Sequence, residues 1–122
     1  MERKLTITTQ RDWKSALREA GATASKGVLS GQYQGESLNF ESPGAFFSRL
    51  TANRWAMLAE LQGAGEVGVR ELARRLERDV KRVHEDAMAL VELGLLERSA
   101  SGALICPFSD IHVDMHMEKK VA

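Results

Sequence analysis

The sequence predicts an α+β fold, and three stretches carry that prediction. Residues 67–108 (VGVRELARRLERDVKRVHEDAMALVELGLLERSASGALICPF) encode a minimal strand, two short amphipathic helices with a tight join, and a two-stranded hairpin. Near the N-terminus KLTIT (4–8) alternates apolar and polar residues, the period-two signature of a half-buried strand. DIHVDMHM (110–117) alternates strictly: Ile111, Val113, Met115 and Met117 fall on one face, and Asp110, His112, Asp114 and His116 on the other.

The elements follow in order. After the strand at 4–8, Thr9 caps a helix from Gln10 to about Ala20, with Trp13, Ala16, Leu17 and Ala20 on one face. Residues 21–36 hold four glycines and few large apolar groups and read as a loop; LNF (38–40) reads as a second short strand. Ser42-Pro43 starts a short helix carrying Phe46, Phe47 and Leu50, with serine as cap and proline at the first helical position. One of the two adjacent phenylalanines is expected to face the core and the other the N-terminal arm or a partner. Thr51 caps a helix over 52–62, whose buried side runs through Trp55, Leu58, Ala59 and Gln62 and is widened by Leu61; Gly63-Ala64-Gly65 stops it. Trp13 and Trp55 are expected as core anchors.

Val67-Gly68-Val69 is a minimal strand, leading to a helix over 70–77 with Leu72, Ala73 and Leu76 apolar. A helix over 79–93 follows, with Val80, Val83, Ala87, Leu90 and Val91 on one face and Gly94 as a C-cap able to take positive φ. Strands 95–99 and 103–108 flank the turn Ala100-Ser101-Gly102. Helix, strand, two helices and hairpin in that order is how a winged helix-turn-helix is built. The expected organisation is an N-terminal strand-helix arm (1–41), a winged helix-turn-helix (42–108), and a C-terminal strand and tail (109–122) serving dimerisation.

A chain of 122 residues with 43% hydrophobic residues has room for one domain's core. Its formal net charge is zero, so affinity for nucleic acid is not legible in the total. Charge is instead segregated: Arg70, Arg74, Arg75, Arg78, Lys81 and Arg82 outnumber Glu71, Glu77 and Asp79 within one short stretch. Cys106 is the only cysteine, which excludes an internal disulfide or a thiolate metal cluster and suits the cytoplasm. No apolar run resembles a signal peptide or a membrane span.

A groove-reading helix needs an apolar inner face, a tight preceding turn, and polar, mainly basic residues near its N-terminus. Leu72, Leu76, Val80, Val83, Ala87 and Leu90 meet the first requirement, and Glu77-Arg78-Asp79 the second, with Asp79 as cap. Arg78, Lys81, Arg82 and Glu85 meet the third, with His84 one step further round. Arg78 and Arg82 suit bidentate contact with guanine or phosphate, and Lys81 acts as a point charge. Arg74 and Arg75 on the bracing helix suit phosphate. In the wing, Arg98 reaches the minor groove or the backbone, and Ser99, Ser101 and Gly102 form its tip. Asp110, His112, Asp114 and His116 share a face but are read as a solvated or dimer-seam face, not a metal site. No nucleophile has an evident base and no phosphate loop is present, so neither enzyme activity nor a cofactor is expected.

Residues 50–114 resemble small bacterial and archaeal DNA-binding regulators of the MarR-like winged-helix superfamily, some of them antitoxin-like. The matching positions are Leu50-Thr51 with Arg54, Arg70-Glu71-Leu72-Ala73 with Leu76, Arg78-Asp79, Lys81, Val83-His84 with Asp86, Leu90 with Gly94-Leu95, Pro107-Phe108, Ile111 and Val113-Asp114. The resemblance implies a cytoplasmic, dimeric regulator that binds double-stranded DNA. The wing is short and a long C-terminal dimerisation helix is lacking, so Ile111, Val113 and Met115 are the expected dimer contacts. The alternative is a winged module that binds another protein, as an antitoxin or assembly factor does.

Overall fold

A computed structural model of the chain describes residues 2–10 and 35–117. Its elements are β1 (Arg3–Thr8), β2 (Glu36–Asn39), α1 (Pro43–Arg49), α2 (Ala52–Leu61), α3 (Val69–Leu76), α4 (Val80–Glu92), β3 (Glu97–Arg98), β4 (Leu104–Ile105) and β5 (Phe108–Asp114). The α+β class holds, with a three-stranded sheet ordered β2-β1-β5 and a two-stranded sheet β3-β4. The helix expected over 10–20 and the loop over 21–36 lie almost wholly outside the described residues. Among the described residues no helix is long and apolar enough to cross a membrane.

The chain forms two compact units, one from Arg3–Phe47 with Asp110 onward, the other from Ser48–Ser109. In the first, β1 buries Leu5 and Ile7 and pairs in parallel with β2, Leu5 opposite Glu36 and Thr8 opposite Asn39. Parallel neighbours need a crossover of a dozen or more residues, and residues 9–35 supply the length. Asn39 clasps the chain leaving β1: its Oδ1 accepts from the Gln10 amide at 3.0 Å and its Nδ2 donates to the Gln10 carbonyl at 3.1 Å. On the other side of β1 lies β5. The N-terminal arm and the C-terminal strand, separate in the sequence reading, are thus two parts of one sheet. Along β5 and just beyond it Ile111, Val113 and Met115 are half-buried, while Asp110, His112, Asp114 and His116 are exposed. Met117, expected on the apolar face, is 96% exposed, because the strand ends at Asp114. Of the adjacent phenylalanines, Phe46 is buried edge-on to Phe40 at 5.6 Å between ring centroids, and Phe47 is exposed.

In the second unit three helices pack on one another. Thr51 caps α2, its Oγ1 accepting from the Arg54 amide at 3.3 Å. The buried stripe of α2 is Met57, Leu58 and Leu61, which corrects the expected one. Trp55 is 40% exposed and is not a core anchor. The actual stripe is rotated by roughly one residue step, about 100°, because Met57 supplies the apolar bulk assigned to Trp55. α4 buries Val83, Ala87 and Leu90. Val80 was expected on that face and is instead 43% exposed, because the first turn of α4 is left uncovered.

Both ends of the α3–α4 pair close with left-handed residues. After α4, Gly94 at φ 83° lets its amide reach the Val91 carbonyl and the Leu95 amide reach that of Leu90, each at 3.0 Å. That is a Schellman ending, and it turns Leu95 and Leu96 into the core. After α3 the same pattern recurs with Glu77 at φ 53°, ψ 47°: its amide bonds to Arg74 at 3.2 Å and the Arg78 amide to Ala73 at 3.0 Å. Glu77 is the only non-glycine at positive φ among the described residues, and an L side chain there is strained. Glu77→Gly is expected to raise unfolding stability by about 0.5–1 kcal/mol, read as a shift in the denaturant midpoint at constant m-value.

The expected strand 67–69 is reduced to one antiparallel bridge, Val67 with Leu104, because Val69 already belongs to α3. Leu104 also pairs with Arg98, so hairpin and bridge share one strand. The hairpin is shorter than expected, two residues a side. Its tip is closed by the Ser99 amide donating to the Ala103 carbonyl at 2.8 Å and by Gly102 at φ 87°. Burial pushes the Cys106 thiol pKa up, which keeps it protonated and unreactive.

Candidate nucleic-acid interface

The site is built at the join of α3 and α4. Asp79 caps α4, its Oδ2 accepting from the Arg82 amide at 3.2 Å. Lys81 and Arg82 follow in the first turn, which contains no acidic residue. Both are exposed and neither makes an ion pair among the described residues. Cations here oppose the helix dipole, whose positive end is the N-terminus. The helix gains nothing locally from them. Exposed cations at a helix N-terminus, without an ion-pair partner among the described residues, are an arrangement suited to an anion. Glu85 and His84 are exposed one turn further on.

Arg78, paired in the sequence reading with Arg82 as a base reader, sits differently. Its guanidinium turns inward, with Nη2 2.7 Å from Asp86 Oδ2. Asp86 also takes Arg54 Nε at 3.0 Å on its other oxygen. Arg54 Nη1 in turn donates to the Arg49 carbonyl at 2.8 Å, just before α2. Side-chain exposures are 22% for Arg54, 21% for Arg78 and 18% for Asp86, so this triad is largely withdrawn from solvent. Nη1 of Arg78 is buried with no hydrogen-bond partner among the described residues. Burial works to raise the Asp86 pKa, and the hydrogen bonds and charges of Arg78 and Arg54 more than offset it, leaving the carboxyl below its ordinary value.

Arg74 and Arg75 are likewise partnered. Glu71 accepts Arg74 Nε at 2.9 Å and Arg75 Nε at 3.1 Å, the three- and four-residue spacings of helix neighbours. The hydrogen bonds from Arg74 and then Arg75 hold Glu71 down to about 2 from 4.5. Because that folded-state pKa is depressed, both pairs persist at every pH above about 2 and loosen only as pH falls through it. A carboxyl-carbon NMR titration is expected to place Glu71 near 2; a midpoint in the ordinary glutamate range would contradict the pairing. These two arginines therefore present a partly neutralised face. Arg98, at the base of the hairpin, donates from Nη1 to Met88 Sδ at 3.7 Å and is exposed. Ser99 and Ser101 face each other at 2.9 Å between hydroxyls.

An open groove of about 590 Å³ is lined by Thr51 and Asn53 from the start of α2, and by Arg78, Asp79, Lys81, Arg82, Glu85 and Asp86. Two helix N-termini thus converge beside Lys81 and Arg82. Sequence reasoning places none of Arg54, Asp86, Thr51 and Asn53 at the interface, although Thr51 is expected as a helix cap and Thr51, Arg54 and Asp86 as family positions. One signal was present: Asp86 stands three after Val83 and four before Leu90, on the flank of the buried stripe. A carboxylate there requires a partner. Among the described residues, no group of three or more His, Cys, Asp or Glu, including Asp110, His112, Asp114 and His116, is placed to hold a metal ion.

Fold and site together define a small α+β protein with two exposed cations at the N-terminal end of α4. The chain belongs to the HVO_A0114 family, whose model matches residues 49–113, more than half of the 122. No curated protein and no solved structure matches it.

Proposed function

We propose that the unit from Ser48 to Ser109 is a winged helix-turn-helix that binds double-stranded DNA with the first turn of α4 in the major groove, as MarR-like regulators do. Support for the fold is the order α2, Val67 bridge, α3, α4, β3–β4 hairpin, with the bridge joining the hairpin as a third strand position. The observation that carries the function is the exposed pair Lys81 and Arg82 in the first turn of α4, without an ion-pair partner among the described residues, where an external anion offsets their conflict with the helix dipole. Val80, exposed beside them, offers an apolar surface of the kind a thymine methyl takes. Glu85 accepts from cytosine or orients Arg82, and Arg98 with Ser99, Ser101 and Gly102 forms a wing that touches the backbone.

The protein acts as a cytoplasmic homodimeric transcriptional regulator. β5, an edge of its sheet carrying Ile111 and Val113, with Met115 just beyond its end, is the dimer seam. The two reading helices address half-sites about 34–36 Å apart. Exposed Trp55 favours one second reading, a winged module that binds protein. The test is binding of the full chain to genomic fragments that include its own promoter, across a salt series. DNA binding predicts a linear fall of log affinity with log salt, of slope about −0.9 per phosphate contacted. No salt-dependent binding to any fragment sinks the reading and leaves the protein-binding one.

A further inference from the structure

We infer that Asp86 is a positioning residue for DNA binding: by gripping Arg54 on α2 and Arg78 in the α3–α4 turn, it sets the pose in which α4 presents Lys81 and Arg82. The inference rests on the DNA-binding reading and assigns roles to three residues that reading does not use as contacts. The geometry is a single carboxylate with each oxygen committed to a different arginine, at 3.0 and 2.7 Å. Arg54 ties the group onward to the carbonyl of Arg49. Thus the start of α2, the exit from α3 and the second turn of α4 meet at one point. Those segments, with Lys81 and Arg82, line the open groove. Arg78 lines that groove too, but its guanidinium is held by Asp86, with Nη1 buried, and so is not extended as a free cation.

This has an outcome opposite to simple electrostatics. Removing a carboxylate from the face that meets a polyanion ordinarily tightens binding. If Asp86 positions α4, its removal weakens binding instead. The test compares full-length wild type, Asp86→Asn and Arg78→Gln on one duplex over a salt series, at a temperature where circular dichroism shows each fully folded. Asp86→Asn is expected to bind about tenfold more weakly with the salt slope unchanged. Arg78→Gln is expected to do the same, since it loses the grip and no phosphate contact. Equal or tighter binding by Asp86→Asn overturns the inference and leaves the DNA-binding reading intact. A slope shallower by about 0.9 in Arg78→Gln overturns it too, because Arg78 would then touch phosphate directly. Should Asp86→Asn not fold, Arg78→Gln alone decides between these outcomes. Wild-type protein that binds no fragment overturns the functional reading, and this inference with it.

Discussion

Asp86→Ala is expected to lower unfolding stability by about 2–4 kcal/mol, among the largest effects available to a single polar side chain here. The substitution leaves Arg54 and Arg78 facing each other with no carboxylate between them, both only about one-fifth exposed. Breaking a buried pair from one side strands an uncompensated charge, which costs about 3–5 kcal/mol when burial is complete. Partial exposure lowers the figure to about 2–4 kcal/mol. Urea denaturation of wild type, Asp86→Ala, Arg78→Ala and the double variant forms a cycle that checks it. The second substitution should cost much less once the first is made, and strict additivity would contradict the triad. The pH dependence has a definite sign. The Asp86 pKa is depressed in the folded protein, so its contribution is fully present above the unfolded-state value and is lost as pH falls through the folded one. Wild type should therefore lose stability on acidification more steeply than Asp86→Ala.

The Lys81→Ala/Arg82→Ala variant is expected to bind DNA about 100-fold more weakly than wild type and with a salt slope shallower by about 2, while its denaturation midpoint holds or rises. Both side chains are exposed, neither has an ion-pair partner among the described residues, and both sit where the α4 dipole disfavours cations. Their removal relieves a local conflict of about 0.3–1 kcal/mol each. Weaker DNA binding in a protein of equal or greater stability separates a contact role from a folding role. Unchanged affinity would remove α4 as the reading helix, and a matching loss of stability would mean the two residues serve the fold.

Much of the helical unit was legible before the structure. Local rules fixed it: Ser42-Pro43, Thr51 and Asp79 as helix starts, Gly94 as a stop, and the Val83–Ala87–Leu90 stripe. Each depends on residues within four positions of one another. Errors of one residue step arose where two apolar residues competed for the same face, as Trp55 and Met57 did. Val80 shows the other limit, since periodicity assigns a face but not whether anything covers it. The pairing of the arginines is hidden from the sequence for the same reason. A basic cluster is visible in the sequence, but whether each member is paired is not. Arg74 and Arg75 share Glu71 at ordinary helix spacing, which the sequence permits without requiring.

The sequence by itself determined the element types, the caps and the location of the basic segment, because helix periodicity, capping chemistry and strand alternation act over one or two turns of chain. Only the tertiary structure decided that β1 and β5 share a sheet. It alone decided that Arg54, Arg78 and Asp86 converge, and that Lys81 and Arg82 are the cations left facing outward. Those outcomes depend on contacts between residues up to about a hundred positions apart. Such contacts form only when buried faces are matched in three dimensions, and no local pattern encodes that match.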